Sequence, residues 1–496
     1  MQYWEEMIKT AMLGTDKKPY RQEVHHQDLL VATESIAQNN SIDKEEQFLQ
    51  NAALVFNYRQ CGAVAMEQKE APLNVATEEE KNYCNNTATQ LLKELLAEES
   101  NPLLQLWLQQ CNQQQLLVTP VMVPTLLQKA EHHKDFRYLI TNCCGKRGEW
   151  LSRFNAAWQF SVVVSEEETW QTGSLEQRRQ LLARVRTTNP LQASEWLMQT
   201  WPQENAATRL ELLKAWSIKL TVEDISWLET LLADKSQRIK EEALNLLKQI
   251  PSSNIVKQYC GVLREAIQLK KEKALLGLTS KTNLQVKLPE TVAESIYGSG
   301  IEKLSSQPKI TDEQIILFQL ISAVPPSFWE EHLNETPAQL IQLFRKEKTT
   351  ALFIPALAIA AAKFQDITWA KLFAETDASY YDGLAPLLTP SLKKDYLLKH
   401  FDQHTSTIMN VLLSENKEWD IALARTILKH TAKTSYQYNR SFYKEYIHLM
   451  PVQLIHELDQ FTPSEEYPRS VWRNTSSYIQ KLLELKSKIN QTFIHP

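Results

Sequence analysis

With 496 residues, 43% hydrophobic and 23% charged, the chain has the composition of a folded, soluble protein, and its length allows two to four domains or one long repeat array. Only 10 residues are glycine, about 2% against a usual ~7%, which argues against a β-rich or doubly wound nucleotide-binding fold, because such folds spend glycine on turns and phosphate loops. A net charge of −5 gives no overall pull toward nucleic acid.

The opening MQYWEEMIKTAML carries acidic residues where an export signal needs basic ones, so export is not expected. Residues 1–100 hold 9 Lys+Arg and 17 Asp+Glu, a net of −8. The cysteines, Cys61, Cys84, Cys111, Cys143, Cys144 and Cys260, follow no C-x-x-C spacing and read as reduced thiols of a cytoplasmic protein. His25-His26 and His132-His133 are adjacent pairs, read as surface histidines because neighbours on a helix point apart.

NCCGKRGEWL, residues 142–151, reads as a corner between two helices. Upstream, Phe136, Leu139, Ile140 and Cys143 share one helical face. Gly145 stands where a helix terminates, and Trp150, Leu151, Phe154 and Trp158 form the next stripe. Lys146 and Arg147 at the tip are not needed by such a corner, which makes them candidate interaction residues. They could also lower a thiol pKa at Cys143-Cys144. FSVVV, Phe160–Val164, is a candidate extended segment.

From there helix starts recur. Ser165…Glu168, Ser174…Gln177 and Thr311…Gln314 have capping-box spacing, and Asn189-Pro190 and Thr389-Pro390 place a cap before proline. Between Asn189 and Pro251, four helices show buried stripes: Ala193, Leu197 and Trp201; Leu213, Trp216 and Leu220; Ile225, Leu228 and Leu232; then Ile239, Ala243, Leu246, Leu247 and Ile250. Short connections predict antiparallel packing of successive helices. Leu231, Leu232, Asp234, Ile239, Lys240, Ala243, Leu246 and Leu247 resemble a HEAT repeat.

Residues 231–290 hold 11 basic and 6 acidic residues, a net of +5. Lys240, Arg264, Lys270, Lys271 and Lys273 are the candidate interaction residues there. Residues 276–309 break the helical pattern, and Leu284, Val286 and Leu288 alternate as a short strand or extended loop would. The longest apolar run, Ala351–Ala362, holds twelve residues and Pro355; a span needs about 20, so a buried helix is expected and no membrane contact. His400 and His404 flank Asp402, but the stretch reads as a helix end without a third ligand.

No P-loop, nucleophile elbow, H-E-x-x-H or G-x-G-x-x-G is present. Gly298-Ser299-Gly300 reads as a turn. The expectation is no catalytic, cofactor or metal site. Seven tryptophans lie between Trp150 and Trp227. HEAT-like DNA glycosylases hold DNA in a basic, tryptophan-lined groove, which supplies the alternative of a nucleic-acid binder; packing in a core is the first reading.

WEEMIKTAMLGTDK, CCGKRGEWLSRFNAAW, DKSQRIKEEALNLLKQIPSS, LFQLISAVPPSFW and AAAKFQDITWAKLF, in this order, resemble an uncharacterised bacterial family classed as a domain of unknown function. Its members are encoded beside SWIM zinc-finger, MoxR-type AAA ATPase and von Willebrand factor A proteins. Gly145, Arg147, Gly148, Trp150 and Leu151 carry the most specific part, with Trp158 closing the motif; Asn155-Ala156 departs from the family's asparagine-proline. The resemblance implies those proteins as partners and carries no catalytic residues.

The expected fold is all-α: an irregular HEAT-like solenoid of antiparallel helix pairs with at most one short strand or hairpin insertion. The expected organisation is an N-terminal helical region at 1–115, a central array at 116–275, an irregular connector at 276–309 and a C-terminal array at 310–496. The expected function is a non-enzymatic cytoplasmic scaffold for protein partners, with nucleic-acid binding as the alternative.

Overall fold

The computed structural model describes residues 2–17, 27–61, 75–161, 165–273, 280–434 and 436–493. They fall into two compact units, Met1–Val75 and Ala76–Pro496. Among the described residues the fold is all-α apart from one two-stranded antiparallel ribbon and an isolated bridge between Tyr83 and Leu117.

The first unit holds α1 (Gln2–Leu13), α2 (Gln27–Ala37) and α3 (Lys44–Cys61). Its core is small: Met7, Leu29, Phe48 and Val55. Met12 is 82% and Val31 77% exposed, so much apolar surface on these helices stays uncovered. His25-His26 lies outside the described residues.

The second unit begins with α4 (Asn86–Glu98), α5 (Asn101–Gln113), α6 (Val123–His132) and α7 (Arg137–Ser152). The Asn85 side chain accepts from the Ala88 amide, and α4 ends where Glu99 turns left-handed. Leu91, Leu92 and Leu95 then present one buried face beside Leu103, Leu104, Trp107 and Leu108 of α5. Each such leucine contributes about 1.5–3 kcal/mol by leaving water.

A run of short helices follows: α8 (Glu166–Thr172), α9 (Leu175–Thr188), α10 (Pro190–Thr200), α11 (Ala206–Lys214), α12 (Asp224–Leu231) and α13 (Gln237–Leu247). Their starts obey the local chemistry. Ser165, Ser174, Asn189 and Asn205 each accept an amide from the first turn, and Gln177 completes a reciprocal box with Ser174. The main packing pairs are α8 with α9, α9 with α10 and α11, α11 with α13, and α12 with α13. They enclose a core of their own, from Trp170 to Ile250.

After α14 (Asn254–Ala266), β1 (Ile267–Lys273) pairs with β2 (Ser280–Val286), Ile267 opposite Val286 and Leu269 opposite Leu284. Next come α15 (Glu294–Gly298), α16 (Asp312–Ile321), α17 (Ser327–Leu333), α18 (Pro337–Arg345), α19 (Lys348–Ala351), α20 (Ile354–Lys363) and α21 (Ile367–Thr376). The chain closes with α22 (Pro390–His400), α23 (Thr405–Ser414), α24 (Ile421–Lys433), α25 (Arg440–Tyr446) and α26 (Glu466–Thr492). The apolar run at 351–362 is indeed mostly buried in α20. No helix of the described residues is long and apolar enough to cross a membrane.

Packing groups the chain differently from the boundaries expected at 115 and 275. Residues 84–144 share one core with 259–493, and the run from 170 to 250 forms a separate cluster between them. The reason is α26, which returns to pack on α4 and α5, while Phe493 meets Trp107 with ring centroids 5.5 Å apart. The boundary at 275 lies outside the described residues.

Three local expectations fail. Leu232 is 40% exposed, because α12 ends at Leu231 and Leu231 takes the buried place. Phe154 is 57% exposed, because the helix stops at Ser152 and the chain turns there. Phe160 belongs to a 3-10 segment, Ala156–Ser161, rather than a strand; Val162–Val164 lie outside the described residues.

Candidate functional site

The corner at Gly145 is held by a carboxylate from far upstream. Gly145 has φ 58° and ψ −155° inside α7, a conformation open essentially to glycine alone. The helix restarts there, so the Lys146 and Arg147 amides have no partner within it. Glu79 takes both: Lys146 N donates to Oε2 at 3.1 Å and Arg147 N to Oε1 at 2.8 Å. A Cβ on Gly145 would stand 2.6 Å from Glu79 Oε2, and one on Gly148 2.5 Å from Cys144 Cβ. Gly148 is therefore required by close approach, and Gly145 by its backbone conformation. Leu151 and Trp158 pack half-buried on the large core, and Trp150 meets Phe154 edge to face at 4.9 Å.

Of the two charges at the tip, Lys146 is paired. Its Nζ donates to Glu80 Oε1 at 2.7 Å, a hydrogen bond that raises the lysine pKa and lowers that of Glu80. Arg147 is exposed at the side chain. The neighbouring thiol is not activated by these cations: burial, first, pushes the Cys144 pKa well above its ordinary value.

The tryptophans and arginines of the central run form a second constellation. Arg178 lies over the Trp170 ring at 4.7 Å and donates to Glu204 Oε1 at 2.6 Å. Arg209 lies over Trp201 at 5.4 Å and donates to Asp234 Oδ2 at 2.8 Å. Arg186 lies over Trp216 at 4.1 Å and grips Asp224 with two nitrogens, Nη1 to Oδ1 at 3.1 Å and Nη2 to Oδ2 at 2.5 Å. Each guanidinium thus sits between an indole face and a carboxylate from a later segment.

The Arg186 pair is wholly inside, with side chains 0% and 3% exposed. Its remaining valences are met as burial demands. Arg186 Nε donates to Ile218 O and Nη2 to Lys219 O, while Asp224 also accepts from Trp216 Nε1 and the Thr221 amide. None of the seven tryptophans from Trp150 to Trp227 is exposed.

The five candidates of the basic segment are divided among elements. Lys240 is half-buried on α13. Arg264, on α14, holds its guanidinium 5.4 Å over Phe328. Lys270, Lys271 and Lys273 lie on β1, in register with Asn283, Thr282 and Ser280 of β2. His400 ends α22 and His404 precedes α23. His400 is 2% exposed, packed edge-on against Tyr396 at 4.9 Å. Among the described residues no group of three His, Cys, Asp or Glu side chains is placed to hold a metal.

Sequence reasoning missed the Glu79 and Glu80 contacts, which lie about 66 residues from the corner and leave no periodic trace. It also missed the Arg–Trp–carboxylate pattern, although each member was visible as a residue type.

The chain belongs to a family of unknown function (DUF5691), whose model matches residues 6–493. No curated protein and no solved structure matches it.

Proposed function

We propose that this family member is a non-enzymatic scaffold that binds protein partners through faces of its helical run in the bacterial cytoplasm. The observation that carries this reading is the packing of α8 to α13, in which the main partners of each helix are its neighbours within two places along the chain. Packing of that kind is the basis of HEAT-like arrays, which present extended outer faces to proteins and peptides. The partners we propose are a MoxR-type ATPase, a von Willebrand factor A protein or a SWIM-domain protein.

Co-elution of the purified chain with each candidate tests this. Binding to at least one is expected, and Arg147→Glu, at the corner that leads into the run, should weaken it without lowering the unfolding midpoint. Absence of co-elution with all three contradicts the partner assignment. The nucleic-acid reading has less to draw on, because the arginines that lie over tryptophans here face carboxylates of the same chain.

A further inference from the structure

We propose that Cys84 and Cys111 form a redox-modification site at which a peroxide closes a disulfide between the segment entering α4 and the end of α5. The inference does not rest on the scaffold reading.

The two sulfurs lie 3.5 Å apart, in side chains 5% and 0% exposed. The backbone on both sides is pinned. Cys84 N donates to Leu117 O at 2.7 Å, Leu117 N to Asn82 O at 2.8 Å and Leu116 N to Cys111 O at 3.0 Å. Closing to a bond of about 2.05 Å brings the two sulfurs together by roughly 1.5 Å. Residues 84 and 111 are 27 apart in sequence, so the link fastens a loop containing all of α4. It also fixes the segment that carries Glu79 and Glu80 to the core beneath the Gly145 corner.

Cys143 competes for the same partner. Its Sγ donates to Leu108 O at 3.5 Å, and its carbonyl accepts from Val118 N at 2.9 Å. It too reaches Cys111, which therefore stands between two thiols. The contact with Cys111 lowers the Cys84 pKa, whereas the Cys111 pKa is raised, first by its contact with Cys143. Cys84, 5% exposed where Cys111 is 0%, is the sulfur nearer to solvent and therefore the first to meet peroxide.

The chemistry balances with hydrogen peroxide as oxidant. The Cys84 thiolate attacks one peroxide oxygen, the O–O bond breaks, and the departing hydroxide takes a proton to become water. Cys84 is then a sulfenic acid. The Cys111 sulfur attacks the Cys84 sulfur, the S–O bond breaks, and the hydroxide leaves as a second water with the Cys111 proton. Two thiols lose two electrons and one peroxide gains them.

The test treats the full chain with hydrogen peroxide, blocks free thiols, and maps non-reduced peptides by mass spectrometry. The expected product is a Cys84–Cys111 cross-linked peptide, with a raised urea midpoint that dithiothreitol reverses. Cys84→Ser should abolish both changes. The unmutated chain compared with and without dithiothreitol keeps the test valid if that variant folds poorly. A Cys111–Cys143 link, oxidation confined to the exposed Cys61, or no link at all overturns the proposal.

Discussion

The Arg186–Asp224 knot and the Gly145 corner use the same chemistry, a cation and a carboxylate, in opposite surroundings. In the knot both charges are buried, Arg186 also donates to two carbonyls, and Trp216 Nε1 donates to Asp224. At the corner the Lys146–Glu80 pair is open to solvent, with side chains 39% and 85% exposed. The part that cannot change there is backbone: a glycine conformation and two amides seated on Glu79. Burial, not the presence of an ion pair, decides which contact holds the fold.

The largest break of this contrast is Asp224→Ala. It strands a buried guanidinium, and about 3–5 kcal/mol of stability should be lost, read as a lower urea midpoint. A variant as stable as the parent would show that the knot opens to water.

Gly145→Ala should cost about 1–3 kcal/mol for the backbone conformation and more from displacement of Glu79. The same substitution in a Glu79→Ala background should cost less, since the clash has been removed. Equal costs in both backgrounds would separate the corner from Glu79.

The smallest effect is expected from Glu80→Gln. Because Lys146 lowers the Glu80 pKa in the fold, any stabilisation is present above the ordinary carboxyl value of 4.5 and is lost as pH falls through the folded value. The pair is fully screened by solvent, so the midpoint at neutral pH should not move. A clear drop would make the corner a second knot.

The sequence made local rules legible and long-range ones not. The boxes Ser174–Gln177 and Thr311–Gln314 form as read, because a cap depends on residues three apart. Thr336–Gln339 forms by the same rule and went unnoticed. At Thr389-Pro390 the proline does open the helix, yet the threonine side chain makes no cap. Strand β2 was signalled by Leu284 and Val286. Its partner was not, because the charges of IQLKKEK interrupt the apolar alternation of β1 and no breaker separates it from α14. Glu79 and the α26 return to α4 are pairings over tens or hundreds of residues, for which a single sequence holds no signal. Among candidate site residues, the break at Gly145 is a local signal, while the pairing of Lys146 with Glu80 is hidden by the same distance.

The most direct measurement is intrinsic tryptophan fluorescence during titration with a single-stranded oligonucleotide at low salt. If the tryptophans and arginines between 150 and 234 are internal fastenings, emission stays unchanged throughout. Quenching that saturates with oligonucleotide and is relieved by added salt would contradict this and place a nucleic-acid groove where the fold now has its knots.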